Sequence, residues 1–116
     1  MTADTADPTA LRSARLTDLV EIAPGGIVSR PLLEYGPVKQ VLFAMDAGQA
    51  LSEHSASSPG TVHVLQGKLS MRVLGEDHVL QAHDWLMMPA HAPHRVVAEE
   101  PTLFLLSLFK DQEGNS

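Results

Sequence analysis

The chain has 116 residues, 44% hydrophobic and 19% charged, a balance that suits one folded domain with its own core and excludes a disordered chain. Its 14 acidic and 8 basic residues give a formal charge of −6, and no Lys/Arg run is present to track a phosphate backbone, which excludes nucleic acid as a partner. Without cysteine there are no disulfides, thiolate ligands or Cys nucleophile. No stretch approaches the roughly 18 apolar residues of a membrane span, and the Thr/Ala/Asp-rich start lacks the apolar core of a signal peptide, so no membrane partner and a cytoplasmic location are expected.

Residues 1–14 are polar and alanine-rich, interrupted by Pro8, and are expected to form a flexible N-terminal arm ahead of one domain over residues 15–116. The segment from Leu16 to Leu33, with Val20-Glu21-Ile22 and Gly26-Ile27-Val28, reads as added strands. Such strands supply a homodimer interface if they pair with an exposed sheet edge. Beyond them, breakers recur at short intervals: Gly36-Pro37, Gly48, Ser57-Ser58-Pro59-Gly60, Gly67, Gly75-Glu76-Asp77, Pro89 and Pro93. That spacing leaves room for strands and hardly any for helices.

Val38–Met45 and Thr102–Phe109 are apolar on both faces, as strands covered on two sides should be. Lys68–Val73 alternates, with Leu69, Met71 and Val73 on one face, and the turn at Gly75-Glu76-Asp77 returns the chain as His78–Gln81 in a hairpin. Roughly eight to ten short strands with tight turns predict an all-β barrel or jelly roll.

From Gly48 onward the sequence resembles a small single-domain cupin of the conserved-barrel type, over residues 40–109. In the first motif of that family a Gly precedes His-x-His, then a Glu, then a closing Gly. Gly48 and His54 fit the beginning, and Val64-Leu65-Gln66-Gly67 fits the end. The second motif runs from Gly-Asp through a short apolar strand to Pro-x-Gly-x-x-His, and His83-Asp84 through Pro89, His91 and His94 keep this rhythm. His83 and His91 stand where the family has glycines.

The resemblance implies a cupin-type jelly-roll barrel, a double-stranded β-helix, with His54 and His94 at metal-ligand positions. The other two ligand positions hold Ala56 and Gly60, so half of the usual set is missing. His63 is the candidate substitute, although strand alternation turns it to the face opposite Gly60. The cofactor implied is a divalent Fe, Mn, Ni or Zn, or none. Glu53 is expected to point away from His54, the serines at 52, 55, 57 and 58 to form a loop, and His78 and His83 to be solvated. His91 is expected to be a tolerated turn residue.

Alternation from the motif positions gives the pocket walls as Val62, Val64, Met88 and Val96. Two readings follow. One is a small-molecule-binding cupin whose pocket is built around His54 and His94; the other is a metal-dependent oxygenase or isomerase of a small organic acid with a reduced ligand set. A homodimer is expected in either case.

Overall fold

In a computed structural model that describes residues 5–110, the chain forms a 3-10 turn at Leu16–Asp18 and nine strands. The strands are β1 (Ile27–Tyr35), β2 (Val38–Met45), β3 (Ala50–His54), β4 (Gly60–Gln66), β5 (Lys68–Val73), β6 (Glu76–Gln81), β7 (Trp85–Met88), β8 (His94–Ala98) and β9 (Thr102–Phe109). They make two antiparallel sheets, in the orders β1-β2-β9-β4-β7 and β3-β8-β5-β6, as the jelly-roll reading requires.

Local backbone chemistry places the turns. Leu74 and Gly75 take φ of 52° and 79°, two successive left-handed residues whose twist suits a two-residue hairpin, so β6 begins at Glu76 rather than beyond the turn. Gly67, at φ 94°, joins β4 to β5 in a corner where a Cβ would run into the Pro101 carbonyl oxygen. His83 (φ 76°) and His91 (φ 66°) occupy left-handed positions, the conformation that the family's glycines supply and that His tolerates better than bulkier residues.

The inner faces of the two sheets meet in one core containing Met45, Val62, Val64, Leu69, Met71 and Phe104, all at most 2% exposed. A second cluster lies on the outer face of the five-stranded sheet, where Val20, with Leu16, Leu19 and Ile22 beside it, covers Leu42, Ala44 and Leu103. The expected strand at residues 20–22 is therefore absent. This segment binds the sheet by side-chain burial, with the Leu19 carbonyl accepting from Arg30 Nη1 at 2.7 Å.

The other expected added strand is present as β1, an edge strand. Pro31 removes one of its donors, and the Leu32 carbonyl accepts from the Ala6 N–H at 2.7 Å, so part of that edge is occupied from within the chain. Residues 1–4 of the expected arm lie outside the described residues. No helix among the described residues is long and apolar enough to cross a membrane.

Candidate functional site

His54 reaches the interior through an irregularity. Along β3 the register with β8 pairs Leu51 with Val96 and His54 with His94, and the ladder shifts between Leu51 and His54. Regular alternation would send residues 51 and 54 to opposite faces. The bulge turns both inward, a common way for a strand to re-aim one side chain. His94 opens β8 directly after Pro93, and at 8% exposure it is the buried member of the pair, whereas His54 stands at the mouth.

Each ring is held by a carbonyl of its own segment. His54 Nδ1 donates to the Ser52 oxygen and His94 Nδ1 to the Ala92 oxygen, both at 2.9 Å. A carbonyl only accepts, so each Nδ1 carries a proton and the Nε2 atoms are the ones turned toward each other, an assignment made from the partners. The two Nε2 atoms converge to 3.1 Å, with ring centroids 4.3 Å apart and planes at 64°. Two lone pairs at that distance repel unless a proton, a hydrogen-bond donor or a cation shares them.

Around this pair lie two small connected chambers. One, about 100 Å³, is lined by Ala56, Ser58, Leu106 and Leu108 together with His54, His94 and Met88. The other, about 80 Å³, shares both histidines, Met88 and Leu106, and adds Val62, Val96 and the stacked pair Phe43 and Phe104, whose rings are 5.0 Å apart. Three of the four expected wall residues, Val62, Met88 and Val96, therefore line the site. Val64 does not: fully buried one step further along β4, it is packed into the core instead. The lining contains no carboxylate, ammonium or guanidinium.

The other candidates lie elsewhere. His63 pairs in register with Trp85 and Leu105 on the outer face of the five-stranded sheet, since it alternates with Val62 and Val64, and it lines neither chamber. His91 is exposed, and its backbone N–H ties the mouth to the Ala56 carbonyl at 2.7 Å. Glu53 and His83 are exposed. His78 is half-exposed and, paired with inward-facing Met71, lines an open groove of about 450 Å³ between the free edges of β6 and β7, with Trp85, Met87 and Leu74. That groove is the larger cavity, but it lies apart from the histidine pair. Sequence reasoning missed Leu106 and Leu108 as lining residues, because both faces of Thr102–Phe109 are apolar and nothing in it marks the inward one.

The chain matches the cupin domain family model over residues 41–108. This chain belongs to the cupin family. Among solved structures it is similar to a conserved protein of unknown function from Streptococcus pyogenes (24% identity, 96% of each chain, TM-score 0.83). It is also similar to a cupin superfamily protein from Desulfitobacterium hafniense (22% identity, 96% of this chain and 99% of that one, TM-score 0.82). A cupin 2 conserved-barrel protein from Leptotrichia buccalis is 30% identical over 81% of this chain and 46% of that one, with a TM-score of 0.77. No curated protein matches.

Cupins often hold a metal, and part of the donor geometry here would suit one. Imidazole nitrogens about 2.0–2.1 Å from one ion and 3.1 Å from each other would subtend about 100°, which suits two neighbouring ligands. The rest of the set is missing. Among the described residues no three His, Cys, Asp or Glu side chains come together to hold an ion. The family's carboxylate position is also closed: a Cβ at Gly60 would lie 2.8 Å from Leu108 Cδ2 and 2.9 Å from the Ser107 carbonyl oxygen. The residues present do not fit the hard divalent ion of the three-imidazole, one-carboxylate cupin site.

Proposed function

We propose that this cupin binds a small, largely apolar molecule in the two chambers, with His54 and His94 as its polar anchor. The observation that carries this reading is the convergence of two Nε2 lone pairs, fixed by the Ser52 and Ala92 carbonyls, at one point of an otherwise apolar cavity. The ligand presents to that point a group that donates a hydrogen bond or carries positive character. Sugars suit the site poorly, because a polyol needs many partners and the lining offers two imidazoles and Ser58. The chambers are also well below the roughly 300–1,000 Å³ of drug-sized pockets, which restricts the ligand to a few heavy atoms.

Thermal-shift screening of small alcohols, phenols, amines and carboxylic acids tests this. A true ligand at about a hundred times its Kd adds about 2.7 kcal/mol to the folded state. It should raise the midpoint of the native chain and leave the His54→Ala/His94→Ala variant unmoved. Equal shifts in both proteins would place binding elsewhere. The metal-dependent oxygenase or isomerase reading loses ground with the missing ligands, and no reaction is assigned.

We also infer a homodimer. The N-terminal segment covers one part of the outer face of the five-stranded sheet, and Trp85 (61% exposed) and Met87 (47%) remain bare beside His63, Thr61 and Ser107. This strip has no acidic residue on a chain of charge −6, so a second copy meets no electrostatic repulsion there. A monomeric mass in solution would contradict it.

A further inference from the structure

The cavity holds soft donors where the family has hard ones. Met88 is 5% exposed, faces inward from β7, and is the one residue besides the histidines and Leu106 that lines both chambers. In the ladder between β4 and β7 it pairs with Gly60, the position at which cupin motifs place the carboxylate. A thioether side chain thus stands beside the vacated carboxylate position and lines the same two chambers as the imidazoles, whose Nε2 atoms meet only each other at 3.1 Å.

We propose that the His54–His94 pair and the Met88 thioether form a site for a monovalent soft ion, Cu(I). Two neutral imidazoles and a thioether supply no negative charge. A buried dication would keep its full charge in an apolar shell, whereas a cuprous ion carries half of it, accepts low coordination numbers and prefers sulfur. The closed position at Gly60 works in the same direction by keeping a carboxylate out. His54 is exposed and gives the ion a path to the buried His94, and Val62, Val96, Leu106 and Phe104 make the wall beside the pair apolar. This inference rests on the reading of the cavity as the binding site and specifies what its polar end holds.

The test uses the untagged full chain without metal. Titrated anaerobically into a bicinchoninate–Cu(I) solution, it should withdraw one equivalent of Cu(I). Met88→Leu, which keeps the volume, should weaken that binding on the order of tenfold or more, since even outer-shell changes cost that much. His94→Ala should abolish it. Met87→Leu, exposed on the other face of β7 and lining neither chamber, should leave it within about twofold of native. Zn(II) affinity should be unaffected by Met88→Leu.

X-ray absorption at the copper edge should show a sulfur neighbour that Met88→Leu lacks. The selenomethionine protein should show a copper neighbour at the selenium edge without any substitution, which covers the case of a variant that does not fold. Failure to withdraw Cu(I), or a copper shell without sulfur or selenium, overturns the proposal. If the protein ignores Cu(I) while small molecules still shift its midpoint through the histidines, the inference fails and the pocket reading stands. If neither binds, both fail.

Discussion

Gly60→Ala is expected to destabilise the protein, against the ordinary preference of strands. Replacing glycine by alanine inside a strand normally gains about 0.5–1 kcal/mol of lost chain entropy. Here the added methyl would lie 2.8 Å from Leu108 Cδ2 and 2.9 Å from the Ser107 carbonyl oxygen, closer than real Cβ atoms come to either. The leucine tip can swing away. The carbonyl cannot, because Ser107 is held in the β4–β9 ladder by its pairing with Thr61. Overpacking costs about 1–3 kcal/mol and lies in the upper half of that range against a carbonyl that cannot move, so the net loss is about 1–2 kcal/mol. At this chain length that lowers the thermal midpoint by about 4–8 °C, readable by circular dichroism. In the Gly60→Ala/Leu108→Ala double variant the leucine part of the clash disappears, and the two changes should couple favourably by about 0.5–1 kcal/mol. A Gly60→Ala protein as stable as the native one would show that the position is open, and would restore the case for a carboxylate-bearing metal site.

Three further outcomes are expected. Gly67→Ala, which combines a φ of 94° with a collision against the Pro101 carbonyl, should cost about 3 kcal/mol or more by urea unfolding, well beyond Gly60→Ala. Leu42→Ala, at a fully buried position beneath Val20, should cost about 2–5 kcal/mol; a loss under about 1 kcal/mol would mean that the N-terminal segment does not pack on the sheet. Asp46 accepts the N–H groups of Gly25 and Ala47 at 2.7 and 2.8 Å, which hold its carboxyl below the ordinary 3.8. A carboxyl depressed in the folded state stabilises above its unfolded value and loses that contribution as pH falls through the folded one. The midpoint gap between the native chain and Asp46→Ala should therefore be constant from neutral pH down to about 4 and narrow below it; a gap that widens in acid would contradict the assignment.

The parts of the fold legible in the sequence are those with strict alternation or obligatory turn chemistry. Lys68–Val73 with its return strand follows from period two alone, and the inward set Val62, Met88 and Val96 from period two counted from the motif positions. Val20–Ile22 reads as strand in the sequence because β-branched and aliphatic residues serve equally well to cover a sheet, and the burial of Val20 depends on a distant partner, Leu42. The inward aim of His54 rests on a bulge, which period-two counting cannot foresee and which was reached only through the motif resemblance. The same counting puts Val64 in the pocket, but the cavity ends one residue pair short of it. Met88 was legible as inward-facing, while its place opposite Gly60 emerges only from the β4–β7 register. The Nδ1 anchors on Ser52 and Ala92 are contacts of backbone geometry and leave no trace in residue identity.

Methyl-resolved NMR of the native chain during titration with a thermal-shift ligand tests most directly whether the imidazole pair anchors a binding cavity. Shifts confined to the methyl groups of Val62, Met88, Val96, Leu106 and Leu108, and lost in His54→Ala/His94→Ala, are the expected result. Shifts at Leu74 and Met87 in the groove between β6 and β7, retained in the double variant, would contradict it.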